Sequence, residues 1–371
     1  MPDRPVELAT SPTGPKPPRG LIIVPAYNEA AVIETSLKVI AIYLGETLPA
    51  YTWEIMVVDD GSSDGTAEIV RRTSPGLPVS VRLVEREVNG GLGNALLTAF
   101  THADADIVVT MDADLSYDIG HIERLVRAWE SSKAAIVVAS PYAEGGAVVA
   151  VPTGLRLRSQ AANKYLGIAS GRNLATFTGM VRAYDGRFLR NTPIGSEGIV
   201  INVELIRKAY ILGLKVIEIP ATLNWSDLQS RRSRAGLVTS RSLRETRRLL
   251  REGFLFRPRL YSLIPGIIGL VVAGIALGFG GMSVALWAAA VACVLLILGF
   301  LAGIGYHRDF RQFRKDFDTA EREGLWPQQD VGWLTQRRRG GARIQRRGAA
   351  TISTSDPATT GDVVPPSPEA H

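Results

Sequence analysis

The chain has 371 residues, enough for one large α/β domain with appended segments. Its 42 Lys and Arg exceed its 36 Asp and Glu only modestly, and most of the excess follows Arg231. That distribution fits a basic region beside anionic lipid and speaks against a nucleic-acid reader, while the lone Cys293 excludes an intramolecular disulfide and a cysteine-built metal cluster.

Residues 1–19 contain six prolines and almost nothing apolar, so the composition predicts a disordered tail. No apolar run follows a basic start there, so the segment does not read as a secretory signal, and the next domain is expected to stay on the side where it is made. Leu21–Val24 and Glu54–Val58 read as buried strands with the helical stretch Ala30–Leu44 between them, and Ile107–Met111 and Ala135–Ala139 continue the series. Alternating strands and helices over residues 20–235 predict an α/β domain on a mostly parallel sheet, with ligands at the carboxyl ends of the strands.

Residues 260–307 contain no Asp, Glu, Lys or Arg. As a single helix this run would reach about 72 Å, more than twice the ~30 Å of a hydrocarbon core. It therefore predicts two membrane-spanning helices, Tyr261–Phe279 and Met282–Tyr306, split at Gly280-Gly281. A buried hairpin of a soluble protein is the alternative. Arg257 and Arg259 on one side and Arg308, Arg311, Arg314 and Lys315 on the other put both ends in the cytoplasm by the positive-inside rule. The stretch 236–259 reads as a juxtamembrane amphipathic helix lying among lipid headgroups, with an ordinary helix against the preceding domain as the alternative. Residues 308–371 read as a basic, largely disordered cytoplasmic tail.

Chemistry-bearing residues follow the strands. Asp112-Ala113-Asp114 comes directly after Ile107–Met111, where two carboxylates can turn toward one hard cation and leave coordination sites for diphosphate oxygens, so Mg²⁺ or Mn²⁺ is expected. Pro25-Ala26-Tyr27-Asn28-Glu29 follows the first strand and Asp59-Asp60-Gly61-Ser62-Ser63-Asp64-Gly65-Thr66 the second. Tyr27 is placed to stack on a base and Asp60 to accept hydrogen bonds from a base or ribose, whereas Asp64 reads better as a helix cap. A fourth loop, Asn89-Gly90-Gly91-Leu92-Gly93-Asn94-Ala95, lacks both the Lys-Ser/Thr of a phosphate-cradling loop and the glycine spacing of a dinucleotide fingerprint. ATPase and dehydrogenase readings fall away.

Taken together, these four motifs and the continuation Asp112-Ala113-Asp114-Leu115-Ser116 resemble family 2 glycosyltransferases of the GT-A fold, and within them the dolichol- or polyprenyl-phosphate mannosyl- and glucosyltransferases. The resemblance covers roughly Leu21 to Arg234. It implies inverting transfer from a nucleotide sugar of the GDP-mannose or UDP-glucose type to a polyprenyl or dolichyl phosphate. Pro25, Tyr27, Glu29, Val58, Asp60, Asp112, Ala113 and Arg234 would serve the donor, and Asp112, Asp114 and Ser116 the metal. Thr178-Gly179-Met180-Val181-Arg182-Ala183-Tyr184 is similar to the family's Thr-Ser-Gly-Phe-Arg-Ala-Tyr segment near the acceptor phosphate, and the resemblance as a whole assigns Asp114, Arg182 and Glu197 to catalysis. Pro141 where Arg is usual, Ala175 where Asp is usual and Arg234 where Lys is usual are departures, and Arg156 or Arg158 are candidates to restore the first charge.

A phosphate monoester with a second pKa near about 6 is already anionic at neutral pH and needs no carboxylate base, which fits Glu197-Gly198 where hydroxyl-glycosylating relatives carry Glu-Asp. Transfer to a lipid hydroxyl with Glu197 as base is the alternative, and an inactive membrane scaffold a further one. The expected partners are the donor, the lipid phosphate and the bilayer, without nucleic acid; a homo-oligomer is compatible with this reading.

Overall fold

A computed structural model describes residues 17–196, 198, 200–226, 240–256, 258–279, 281–323 and 351–353. Its main sheet contains β1 (Arg19–Ala26), β2 (Thr52–Asp59), β3 (Ser80–Glu85), β4 (Ile107–Thr110), β5 (Ile136–Ser140), β7 (Arg182–Asp185), β8 (Val216–Pro220) and β10 (Thr351–Ser353), in the order β10-β3-β2-β1-β4-β7-β5-β8. Strands β3, β2, β1 and β4 run parallel, as do β5 and β8, while β7 is inverted between β4 and β5. A two-stranded parallel ribbon, β6 (Ala147–Val149) with β9 (Thr222–Asn224), stands beside it. The expected strands are present. They were readable because Leu21–Val24, Ile55–Val58 and Ile107–Val109 are buried on both faces, as parallel strands covered by helices must be.

Helices α1 (Ile33–Thr47), α2 (Thr66–Thr73), α3 (Leu92–Thr101) and α4 (His121–Ser132) supply that cover. In α1 the buried Ile33, Leu37, Ile40, Ala41 and Leu44 recur at helical spacing. Because β7 is inverted, its first residue, Arg182, pairs with Thr110 at the end of β4. The loops after β1, β2, β3 and β4 and the segment entering β7 therefore meet at one rim.

That entering segment, residues 174–181, lies outside the ladder except at Val181, whose carbonyl accepts from Ala139 N–H at 3.1 Å, so side chains satisfy much of its backbone. Glu218 accepts the N–H groups of Ala175 (2.7 Å) and Thr176 (2.6 Å). Asn163, on α5 (Thr153–Ser170), accepts those of Phe177 (2.8 Å) and Thr178 (3.2 Å). The Thr110 hydroxyl donates to Met180 O at 2.5 Å. Arg182 is fully buried; its Nε donates to Gly179 O (2.6 Å), Nη2 to Phe177 O (2.6 Å) and Nη1 to Asn202 O (3.4 Å). Asn202, on α7 (Val200–Ile211), closes the network by donating to Gly179 O at 3.1 Å and accepting the Tyr184 hydroxyl at 3.0 Å. Burial lowers the pKa of Arg182 from its ordinary value, while Tyr184 and Glu218 act in the opposite sense.

Helix α6 (Gly186–Arg190) follows β7, and after β9 the described chain resumes at α8 (Ser240–Phe256), α9 (Pro258–Gly278) and α10 (Met282–Glu323). One face of α8 docks on the α/β domain. Tyr165 donates to Leu250 O (3.0 Å) and its ring covers Gly253, Glu252 is buried and pairs with Arg207 (3.3 Å), and Phe256 meets Phe177 edge-on at 6.1 Å between ring centres. On the other face Leu250, Phe254, Arg247 and Arg251 are exposed. The sequence expected a helix among lipid headgroups; the structure gives α8 a protein-bound face and an apolar, basic outer face.

Helices α9 and α10 form an antiparallel hairpin whose close approach depends on small residues: a Cβ on Gly269 would lie 2.9 Å from that of Ala292, and one on Gly266 2.7 Å from Leu296. Its outer surface is apolar almost throughout, including exposed Ile267, Val271, Ile275, Trp287, Val294 and Phe300. Among the described residues one stretch, Met282–Leu301, has the length and hydropathy to cross a membrane, and the apolar stretch Ile264–Gly278 is shorter. Of the two spans expected from sequence, the second meets the requirement. Helix α10 also runs past the expected boundary at residue 307 and returns to the domain, where Phe317 is buried and Phe313 lies 5.4 Å beneath the Lys208 ammonium.

Arg182→Ala would leave a cavity and remove a hydrogen bond from each of three carbonyls, lowering stability by about 3–5 kcal/mol. Thermal unfolding of the purified protein should show this loss, whereas unchanged unfolding with lost turnover would assign Arg182 a direct contact with substrate.

Candidate active site

Four loops and Met180 enclose a cleft of about 350 Å³ at the rim. Pro25, Ala26, Tyr27 and Glu29 contribute from the β1 loop, Asp60 from the β2 loop, Asn89, Gly91, Leu92 and Ala95 from the β3 loop and the first turns of α3, and Asp112, Ala113 and Asp114 from the β4 loop.

The first two loops are fastened to each other. Asn28, in the left-handed region at φ 55°, donates from its N–H to Ser62 Oγ (2.9 Å) and accepts the Ser63 N–H on its side-chain oxygen (2.9 Å). Glu29 N–H donates to Thr66 Oγ1 at 2.9 Å and Ala30 N–H to Asp64 at 3.0 Å. Asp64 also accepts the Thr66 N–H (3.1 Å) at the start of α2, so the capping role expected for it is joined to a bridging one. Burial works against the charge on Asp64, but the hydrogen bonds from Thr66 and Ala30 prevail and hold it below the usual carboxylate range. Asp59 goes the other way: burial raises it despite hydrogen bonds from the Ser62 hydroxyl and N–H.

Asp60 joins the second loop to the third. Its carboxylate accepts the N–H groups of Gly90 (3.1 Å) and Gly91 (2.6 Å) and pairs with Arg86. Gly61 permits the contact: at φ 75°, its missing Cβ would sit 3.0 Å from Asn89 N. Asp60 thus faces the cleft with both oxygens already engaged, and its main work is to hold the glycine loop in place.

The fourth loop is a tight turn through Leu115, at φ 50°. Ser116 is buried and addresses both acids, donating its N–H to Asp114 (3.0 Å) and its hydroxyl to Asp112 (3.3 Å). Its carbonyl accepts from Asn224 N–H at 2.9 Å, which ties the turn to β9. Beneath it Tyr117 is buried, and desolvation first, then the Asp112 charge, raise its pKa.

Of the residues singled out in the sequence, Pro25, Tyr27, Glu29, Asp60, Asp112, Ala113 and Asp114 converge on the cleft. Three do not. Val58 is a fully buried core residue of β2, Arg182 spends its donors on carbonyls below the rim, and Ser116 orients the two carboxylates from beneath. The first two are fully buried, and none of the three lines the cleft. Glu197 and Arg234 lie outside the described residues. Arg156 and Arg158 are exposed on the first turns of α5, and neither lines the cleft. Arg86 went unrecognised, because a cation three positions before a motif carries no mark of the carboxylate it will meet.

The chain matches the model of glycosyl transferase family 2 over residues 21–190. It is 30% identical over 235 residues to an undecaprenyl-phosphate mannosyltransferase of Micrococcus luteus, covering 62% of this chain and 93% of that one. It is 30% identical over 216 residues to a polyprenol monophosphomannose synthase of Mycolicibacterium smegmatis, covering 57% and 79%. A dolichyl-phosphate beta-glucosyltransferase of Trichomonas vaginalis is 37% identical over 153 residues, covering 39% of this chain and 43% of its own. The extent of the first two likenesses, over a sheet whose rim carries the expected motifs, establishes that the chain belongs to glycosyltransferase family 2.

Proposed function

We propose that the enzyme transfers a sugar, with inversion, from a nucleotide sugar to a polyprenyl phosphate at the cytoplasmic face of a membrane. The observation that carries this reading is the docking of α8. The helix that leads into the apolar hairpin lies against the segment ending at Met180, which lines the donor cleft. An acceptor whose tail stays in lipid and whose head is charged suits that arrangement. The names of the relatives agree with it: two act on a polyprenyl and one on a dolichyl carrier, with mannosyl or glucosyl as the sugar.

Tyr27, half exposed at the mouth, offers its ring to the base, and the loop fixed by Asp60 offers backbone N–H groups and close approach. Asp112 and Asp114 would hold Mg²⁺ or Mn²⁺. The donor set fits a hard cation, since Ser116 directs both carboxylates. Among the described residues no group of three or more His, Cys, Asp or Glu converges, which leaves coordination sites for diphosphate oxygens. Bound there, the ion would offset the charge that builds on the leaving diphosphate. The acceptor oxygen forms a bond to the anomeric carbon as the carbon–oxygen bond to the diphosphate breaks, and the electron pair leaves with the diphosphate. The monoester is already anionic, so the residues around it need to orient it and not to deprotonate it. Both spans of the hairpin would cross the bilayer, with the catalytic domain and both ends cytoplasmic.

Asp112→Asn or Asp114→Asn, like treatment with EDTA, should lower turnover by orders of magnitude with the fold intact, and activity that persists in metal-free buffer would refute the metal assignment. Offered undecaprenyl phosphate and undecaprenol with a panel of GDP- and UDP-sugars, the enzyme should glycosylate the phosphate and retain substantial turnover as Glu197→Gln. Transfer to the alcohol alone, abolished by Glu197→Gln, would move it to the hydroxyl-acceptor class. For the topology, in a Cys293→Ala background Ser283→Cys should react with a membrane-impermeant maleimide from outside intact cells. Ser131→Cys, exposed on the catalytic domain, should react only after permeabilisation, and the reverse pattern would invert the orientation.

A further inference from the structure

We infer that His121, in the first turn of α4, is a positioning residue for the carboxylate pair, acting as the acceptor that keeps β9 in register with the turn carrying Asp112 and Asp114; this rests on the metal assignment above. The argument begins with the backbone of β9. On one side it pairs with β6: Ala147 N–H donates to Ala221 O (2.9 Å) and Trp225 N–H to Val149 O (3.0 Å). Successive N–H groups of a strand point to opposite sides, so those of Thr222 and Asn224 face away from β6. Among the described residues no strand stands there. Residues 116–121 run along that side instead: Ser116 O accepts the Asn224 N–H at 2.9 Å, and Tyr117 forms a bridge with Leu223.

Beyond Tyr117 the chain turns into α4 and its carbonyls are taken up by the helix: those of Asp118, Ile119 and Gly120 accept the N–H groups of His121 (3.0 Å), Ile122 (3.0 Å) and Arg124 (3.2 Å). A side chain supplies the missing acceptor. His121 Nε2 accepts the Thr222 N–H at 3.2 Å. Its ring is held for the task. Nδ1 lies 2.7 Å from Asp118 O, and because a carbonyl can only accept and an amide N–H only donate, Nδ1 carries the proton and Nε2 presents its lone pair. The ring is buried and meets that of Tyr117 edge-on at 5.9 Å. Arg124, three residues on, donates to Pro220 O, so α4 grips the segment entering β9 at two points.

This line of contacts ends at the two acids. Ser116 directs both carboxylates with its N–H and hydroxyl, and its carbonyl is tied to β9 two residues from Thr222. Without the Nε2 acceptor, the Thr222 N–H turns to water and β9 loses one of the ties that register it on the turn. The acids then keep their charge and lose their fixed spacing. Groups outside a metal's own ligands act in this way, by orienting the ligands, and their loss is felt as affinity for the ion.

The test measures Mn²⁺ binding to the full-length enzyme in detergent by water-proton relaxation enhancement, with GDP or UDP present and no acceptor. His121→Phe keeps a ring against Tyr117 but has no acceptor, and it should weaken Mn²⁺ roughly tenfold, the low end of the loss for groups that orient metal ligands. The Mn²⁺ concentration for half-maximal turnover should rise by the same factor, with kcat largely recovered at saturating metal. His121→Gln, whose side-chain oxygen reaches the place of Nε2, should restore most of the affinity, and His121→Asn, one carbon shorter, should not; this pair decides the matter even where His121→Phe fails to fold. Arg127→Ala, an exposed charge on the same helix, should match wild type. Wild-type affinity in His121→Phe, or Gln and Asn variants equally impaired, would make His121 a packing residue and overturn the inference while the metal assignment stands. Wild-type enzyme that shows no enhancement, or an enhancement that survives Asp112→Asn, would overturn both.

Discussion

The backbone between Leu174 and Val181 belongs to neither helix nor sheet, yet it forms the floor of the cleft at Met180 and meets helix α8 at Phe177. An irregular segment can hold such a position only if its N–H and C=O groups are satisfied away from water. Here the satisfaction comes from Thr110, Asn163, Arg182, Asn202 and Glu218, which lie on five different elements. The inverted strand β7 makes this possible, because it brings Arg182 to the rim with its side chain underneath. A buried guanidinium bonded to carbonyls is costly to place and hard to move. The positions of the donor cleft and of α8 relative to each other descend from that placement.

The same logic governs the other loops. Asn28, Asp59, Asp60, Asp64 and Thr66 all sit at a ligand-binding rim, yet much of their polar capacity goes into binding one loop to the next. A site that must present backbone groups to a diphosphate has to be stiff before the ligand arrives. Polar residues in such motifs therefore do two kinds of work, and only part of it is contact with substrate.

The sequence disclosed the parallel sheet because its central strands are unbroken apolar runs, and disclosed the carboxylate pair because it follows one of them directly. Strand β3 escaped notice because Ser80 and Arg82 interrupt its pattern. Motif position identified Arg182 and Ser116 as important but could not give direction: a strand alternates its faces, and a tight turn can aim a hydroxyl at its neighbours instead of at a ligand. The docking of α8 stood only as the alternative reading, since Glu252 reads as one more surface charge until Arg207, 45 positions earlier, is found beside it. Long-range partnership between polar residues is the part of a fold that local spacing does not encode.

Helix α10 is 42 residues long, or about 63 Å at ~1.5 Å per residue. Its first 20 residues are the apolar stretch, and the remainder reaches back to the catalytic domain, where Phe313 and Phe317 secure it. With that stretch in lipid, the helix becomes a strut of fixed length, and the height of the cleft above the headgroups is set by how deep the strut sits. Bilayers differ in thickness by several ångströms, and helices answer mismatch by tilting or shifting. A reaction between a soluble donor and a carrier confined to the headgroup plane tolerates little vertical error. With α10 anchored in this way, membrane thickness would become a variable of catalysis, acting through the geometry of the helix without touching a single residue of the cleft.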